Sequence, residues 1–225
     1  VVLDKVLNLS ILFDVLFVDD NSPDGTAELV KDYAKKYDKR VFLESKNKKE
    51  GLGKAYTLGF YWALSKNYQY IFEMDADLSH DPNDLVRMYK EIDSSNCDVI
   101  VGSRYINGIN VVNWPLSRII LSYLASIYSR VITGLPVMDA TSGFVGYKRE
   151  VLKKINLNSI LFNGYAFQIE LKFKAYKNNF KILEIPIIFR DRIYGESKMN
   201  GDIILEAIFG LIKLKIYSFF NDLNK

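Results

Sequence analysis

Two carboxylates one residue apart, Asp75 and Asp77, lie in Glu73-Met74-Asp75-Ala76-Asp77-Leu78-Ser79-His80, where an apolar strand-like run (Gln69 to Met74) gives way to a polar loop. In an alternating α/β sheet the carboxyl ends of the strands form the ligand crevice. Hard oxygen ligands there suit Mg²⁺ or Mn²⁺ carrying a nucleoside diphosphate. The plainer reading is a pair of acidic turn and helix-cap residues. A bare Asp-x-Asp does not decide between the two.

Three more polar clusters fall at strand-like ends and shift the balance. Val18-Asp19-Asp20-Asn21-Ser22-Pro23-Asp24-Gly25-Thr26 offers carboxylates able to accept from ribose hydroxyls or base N–H groups. Taken alone such a motif is more often a capped turn, since Ser22 and Asp24 are ordinary N-cap residues. Gly102-Ser103-Arg104-Tyr105 ends another run, and Arg118 opens a later amphipathic segment. A guanidinium grips phosphate oxygens in pairs, so both arginines beside a metal–nucleotide crevice suggest a second phosphate; a surface ion pair is the alternative for each. Arg190-Asp191-Arg192-Ile193-Tyr194-Gly195-Glu196-Ser197-Lys198 is a basic loop suited to close over a diphosphate, or simply a solvated turn. Gly51-Leu52-Gly53-Lys54 opens a helix but lacks the Walker spacing and its Ser or Thr. Asp139 to Phe144 sets a carboxylate and two hydroxyls beside a strand candidate without declaring a chemistry.

These clusters need a scaffold, and the periodicity supplies one. Strand-like runs Asp14–Val18, Arg40–Ser45, Gln69–Met74 and Asp98–Gly102 alternate with helix-period segments Asp24–Tyr37, Lys54–Lys66 and Pro82–Ser94. That alternation predicts βαβ units and a largely parallel sheet. After a loop over Ser103–Asn113, a long amphipathic segment covers Leu116–Leu135, followed by a strand at Ser142–Tyr147 and a helix near Tyr165–Lys177. Strands at Lys181–Ile185 and Ile187–Arg190 complete this half. The fold class is therefore α/β, one domain over 1–200 with a C-terminal helical appendage over 201–225.

In that appendage, Ile203–Phe220 is strongly apolar, but Glu206, Lys213 and Lys215 interrupt it. Each central charge costs about 2.5 to 3.5 kcal/mol on insertion scales, which argues against a membrane span. Asp202, Glu206, Gly210, Lys213, Tyr217 and Asn221 recur at helical spacing as a polar stripe. The broad apolar remainder suits a membrane interface, or docking on the domain's own core or on a partner.

Composition excludes several classes. The balance of 30 basic against 27 acidic residues, net +3, does not suggest a nucleic-acid binder. One cysteine, Cys97, expected in a buried strand, rules out an internal disulfide, and the lone His80 rules out multi-histidine zinc sites. Charges within the first twenty residues do not resemble a signal peptide, so a reducing, cytoplasmic location is expected.

The ordered set of Val18–Thr26, Met74–Pro82, Gly102–Tyr105, Asp139–Phe144 and Arg192–Lys198 strongly resembles the dolichyl-phosphate and polyprenyl-phosphate mannose synthases, inverting members of glycosyltransferase family 2. The resemblance covers nearly the whole chain. It implies the A-type nucleotide-sugar transferase fold, a Rossmann-like domain, and transfer of mannose from GDP-mannose to a lipid phosphate. By the same matching, Val18 and Asp20 contact the nucleoside, Asp75 and Asp77 hold Mg²⁺ or Mn²⁺, and Ala76 lies along the sugar nucleotide. Arg104 and Arg118 resemble acceptor-phosphate ligands, while Arg192 and Lys198 resemble diphosphate and acceptor contacts. Asp77, Arg104 and Arg192 are thus the expected catalytic groups, Asp139 a positioning group and His80 a loop residue near the metal. The partners implied are GDP-mannose, a polyprenyl (dolichyl) phosphate, the cytoplasmic face of a membrane bound peripherally, and potentially a membrane subunit.

Two departures stand out. The family's Pro-Thr-Tyr-Asn-Glu motif does not occur before Val18, so a first strand beside Asp14–Val18 is expected to be missing, leaving an exposed edge. Ser79 stands where some relatives carry a longer polar side chain, which leaves room for a water on the metal. Transfer of glucose or another hexose, or a non-catalytic nucleotide-sugar-binding subunit, remain the alternatives.

Overall fold

The computed structural model describes residues 2–20, 22–46, 50–191 and 201–220, apart from the side chains of 201–207 and 220. A short helix α1 (Val2–Leu7) precedes β1 (Val15–Asp19), α2 (Thr26–Lys36), β2 (Val41–Ser45), α3 (Leu52–Ser65), β3 (Tyr70–Glu73), α4 (Asn83–Ser94) and β4 (Val99–Ser103). This is the expected alternation. Local chemistry sets the boundaries: Gly25, at φ 79°, turns the chain into α2 while Asp24 accepts from the Thr26 amide at 3.1 Å. Asp81 likewise accepts from the Asn83 amide at 3.0 Å at the start of α4.

The second half comprises β5 (Val111–Val112), α5 (Leu116–Thr133), β6 (Val145–Lys148), α6 (Arg149–Lys154), α7 (Ala166–Lys177), β7 (Ile182–Pro186), β8 (Phe189–Arg190) and α8 (Gly201–Phe220). β1 and β2 pair in parallel, and the larger sheet has the order β3-β6-β4-β7. β4 and β7 are parallel, but β6 runs antiparallel to both β3 and β4. The reason lies in the preceding segment: Ser142 Oγ donates to Gly102 O at 2.7 Å, so the chain arrives at the carboxyl end of β4 and can only run back. Gly146 lets β6 fit there, since a Cβ would press on the Phe72 ring and come within 2.8 Å of Ile100 Cγ2. The β5–β8 ribbon is a two-residue parallel pairing inside what the sequence presented as loop and a longer strand.

Helices cover both faces of the larger sheet. One core joins Phe60, Val101, Tyr147, Phe167 and Phe173, and the other joins Val6, Met88, Ile92, Ile100 and Phe144. Burying each such side chain contributes roughly 1.5–3 kcal/mol. Cys97 is buried in the second core, but in the turn before β4 and not in a strand.

β1 and β3 do not pair with one another. A cavity of about 610 Å³ separates them, lined by Leu16 and Val18 from one side and Phe72 and Asp75 from the other.

α8 is anchored to the domain. Leu211 and Leu214 enter the main core, Tyr128 Oη donates to Ile208 O at 2.8 Å, and Lys215 Nζ donates to Thr133 O at 3.0 Å. Gly210 faces inward, where a Cβ would strike the Phe162 ring, so it does not belong to a solvent-facing stripe with Lys213 and Tyr217. No described helix is long and apolar enough to cross a membrane.

Candidate active site

Asp75 and Asp77 emerge where β3 ends. Asp77 Oδ1 accepts from the Ser79 amide at 3.0 Å, an Asx-type turn that bends the loop and brings His80 back over the sheet. The Asp75 side chain is 42% exposed, with Tyr56 Oη at 3.4 Å and His80 Nε2 at 3.7 Å. Burial first, and then the charges of Asp75 and Glu73, push the Tyr56 phenol well above its usual range, so it stays protonated and donates. Val18, Asp75 and Ala76, three of the expected donor-side residues, line the same cavity, whereas Asp20 and Asp77 are not part of its lining. Asp20 lies at the same strand end as Val18, with Lys46 Nζ at 3.3 Å from Oδ1.

Among the described residues no cluster of three or more His, Cys, Asp or Glu side chains is arranged around a metal position. Two carboxylates one residue apart, past the end of β3, are hard oxygen donors of the type that suits a divalent cation. His80 belongs to the wall: it is buried, 4.8 Å from the Phe144 ring and 5.0 Å from the Phe189 ring.

Across that wall lies the basic cluster. Arg104 is buried, and its Nε and Nη2 donate to Asp139 Oδ2 and Oδ1, each at 2.7 Å. The Arg104 amide also donates to Asp139 Oδ2 at 2.9 Å, and Nη2 donates to Thr141 Oγ1 at 2.8 Å. Burial alone would raise the Asp139 carboxyl, but the Arg104 guanidinium and these hydrogen bonds carry it below its usual value. Nη1 takes no part in these bonds. Arg118 stacks on Trp114 with its guanidinium carbon 4.0 Å from the ring centroid, and Nη1 donates to Asp191 at 2.7 Å. Trp114 and Phe189 also lie beneath Arg104, each at 5.6 Å, so both guanidiniums share one aromatic floor. Arg192 and Lys198 lie outside the described residues.

The segment that sequence left unreadable, Asp139–Phe144, is the clamp between these clusters. Glu184 on β7 accepts from the Met138 and Asp139 amides at 2.6 and 2.9 Å. The buried Lys172 ammonium donates to the carbonyls of Ala140 at 3.2 Å and Ser142 at 2.7 Å. Burial lowers the Lys172 pKa, opposed by Glu73, and burial raises that of Glu73, which accepts from Tyr147 Oη at 3.1 Å. Tyr56, Trp114, Lys172 and Glu184 were all missed by sequence reasoning. Lys172 alone carried a weak signal, as a cation among apolar neighbours in a helix.

Residues 1–156 match the model of glycosyl transferase family 2. The chain belongs to glycosyl transferase family 2. A curated relative, the polyprenol monophosphomannose synthase of Mycolicibacterium smegmatis, is 45% identical to this family 2 chain over 195 residues, 87% of the chain and 73% of the relative. The undecaprenyl-phosphate mannosyltransferase of Micrococcus luteus is 40% identical over 200 residues, 89% of the chain and 81% of that protein. Among solved structures, glucosyl-3-phosphoglycerate synthase from Mycobacterium tuberculosis with Mn²⁺, UDP-glucose and phosphoglyceric acid aligns at a TM-score of 0.59 and 14% identity, covering 90% of this family 2 chain and 67% of that one. At that identity the likeness concerns the fold, which is the A-type glycosyltransferase architecture that the motifs implied.

Proposed function

We propose that this glycosyltransferase moves mannose from GDP-mannose to a polyprenyl phosphate at the cytoplasmic face of a membrane, inverting the anomeric carbon. The observation that carries the reading is the facing of two clusters, Asp75–Asp77 and Arg104–Arg118, across the His80–Phe189 wall in a chain similar to two lipid-phosphate mannosyltransferases. Asp75 and Asp77 hold a divalent cation, Mg²⁺ or Mn²⁺, which when bound neutralises charge on the departing diphosphate. Val18 and Asp20 take the nucleoside, and Ala76 borders the sugar nucleotide.

Arg104 and Arg118 orient the acceptor phosphate monoester, with Arg192 and Lys198 contributing as further cationic contacts. With a second pKa of about 6, such a phosphate is largely dianionic at neutrality and needs no strong general base. One of its oxygens bonds to the anomeric carbon as the bond to the GDP oxygen breaks, so no proton has to be removed first. The enzyme's contribution is positioning and charge stabilisation.

The test is transfer of labelled mannose from GDP-mannose to a short polyprenyl phosphate with Mg²⁺, with Mn²⁺ and with chelator, using UDP-glucose as the competing donor. Metal-dependent mannosyl product supports the reading. Product from UDP-glucose alone replaces the donor, and metal-dependent nucleotide binding without any transfer replaces the enzyme with a binding subunit.

A further inference from the structure

Gln168, in the first turn of α7, is only 2% exposed, yet neither Nε2 nor Oε1 has a hydrogen-bond partner among the described residues. An interior amide without partners carries its desolvation penalty uncompensated, so its retention needs a reason. Glu73 does not supply one. Burial raises the Glu73 carboxyl, and Lys172 and then the Gln168 amide work against that rise, but the two side chains stop short of a hydrogen bond.

Gly143 shows where the amide points. A Cβ on that residue would meet Gln168 Nε2 at 3.7 Å and Asp75 Oδ1 at 4.0 Å, and apart from the adjoining residues no other described atom lies within 4 Å. Gly143 does not take a left-handed backbone, so its missing side chain provides room and not conformational freedom. Gly143 and Asp75 are both partly exposed, so this space opens on the crevice. Its walls are fixed: Lys172 Nζ donates to Gln168 O at 3.1 Å and to Ser142 O at 2.7 Å, tying the turn that carries the amide to the residue before Gly143.

The chemistry of the space fits a carbohydrate. An amide offers donor and acceptor in one plane, and two neighbouring hydroxyls answer both. A phosphate has no donor for the amide oxygen and meets the Asp75 carboxylate. We infer that Gln168 is a specificity-determining residue for the hexose of the donor, its amide hydrogen-bonding two neighbouring sugar hydroxyls in the space beside Gly143 and Asp75. The inference rests on the nucleotide-sugar reading of the Asp75–Asp77 end of the crevice and deepens it.

The experiment is calorimetric titration of the full chain, with Mn²⁺ present, by GDP, GDP-mannose and the monodeoxy analogues of GDP-mannose. Gln168→Met keeps the length of the side chain and removes both polar atoms, and Gly143→Ala leaves the amide but puts a methyl into the space. Both variants are expected to bind GDP within about twofold of wild type and GDP-mannose about tenfold more weakly. Wild type should bind the deoxy analogues at two neighbouring carbons at least about fivefold more weakly than GDP-mannose, a penalty that vanishes in Gln168→Met. Without ligand, the Tm of Gln168→Met should be unchanged or raised, since two unpaired polar atoms leave the interior.

A Gln168→Met protein that binds GDP-mannose as wild type does, or that keeps the same deoxy penalties, overturns the inference. So does a lowered Tm with an unchanged ratio of GDP-mannose to GDP affinity, because the amide then holds a buried water or Glu73 and not the sugar. Where Gln168→Met does not fold, Gly143→Ala decides alone, and unchanged GDP-mannose binding overturns the inference. A wild type that takes UDP-glucose in place of GDP-mannose corrects the donor, and the same comparison with UDP, UDP-glucose and its deoxy analogues then decides for Gln168. One that binds neither nucleotide sugar removes the donor reading and the inference with it.

Discussion

Asp75, past the end of β3, keeps 42% of its side chain exposed, with Tyr56 Oη at 3.4 Å and His80 Nε2 at 3.7 Å. Asp139, beyond α5, has a side chain at 0% exposure and accepts from Arg104 at 2.7, 2.7 and 2.9 Å. Both are carboxylates beside the same crevice, yet their environments give them opposite duties. Asp75 keeps its carboxylate partly open at the mouth of the crevice. Asp139 has its charge neutralised internally, and in return it aims a guanidinium that would otherwise be costly to bury. Single substitutions should separate the two regions by which quantity moves, stability or turnover.

The largest effect is expected at Asp139→Ala, which strands a buried guanidinium and should cost about 3–5 kcal/mol in urea denaturation. A loss no greater than that of an exposed substitution would dissolve the contrast. Next comes Asp77→Ala: hexosyl transfer should fall about 100-fold or more, as for removal of a preorganised charge-stabilising group. Its stability should fall by only about 1 kcal/mol, the loss of the bond from the Ser79 amide, and if turnover stayed intact the cation assignment would be wrong. Arg118→Ala should raise the KM for the lipid phosphate roughly tenfold, the loss of one charge-assisted hydrogen bond, with donor KM unchanged. A shift in donor KM instead would move Arg118 to the nucleotide side.

The smallest effect on turnover is expected at Tyr56→Phe. Losing a 3.4 Å hydrogen bond to Asp75 should slow transfer by about fivefold, equivalent to about 1 kcal/mol. An acid titration sharpens the comparison from the other side. The Asp139 carboxyl is held below its ordinary value, so its stabilisation is present above the unfolded pKa and is lost as pH falls through the folded one. The stability gap between wild type and Asp139→Asn should hold from about pH 7 down to about pH 4 and narrow only below that. Narrowing already in the range of about pH 5 to 7 would show that Arg104 does not hold the carboxyl down.

The carboxyl-end positions of Asp75, Asp77 and Arg104 were legible because each follows an apolar run whose length and punctuation mark a strand. Arg118 was legible as a candidate, but not its seat on Trp114, which depends on the two-residue β5–β8 pairing. The antiparallel course of β6 was not legible either, since it follows from the Ser142–Gly102 bond and from which end of β4 the chain reaches. α7 shows the same limit within an element that was legible: the helix expected near Tyr165–Lys177 is present, but that every side chain of Phe167-Gln168-Ile169-Glu170-Leu171-Lys172-Phe173-Lys174 is buried, polar ones included, was not.

Local chemistry in the sequence by itself determined where strands end, which helices are capped and which acidic and basic groups stand at those ends, because propensity and periodicity act over a few residues. Only the tertiary structure decided which charges face the crevice and which are consumed in holding it. That choice depends on burial and on partners such as Asp139 for Arg104, 35 residues apart, or Glu184 for the Asp139 amide, 45 apart. The apolar stripe that α5 turns outward, from Leu116 to Val131, belongs to the same category. Its amphipathic pattern is local, but the face that meets the core is settled by Ser126, Ser129 and Thr133 packing inward.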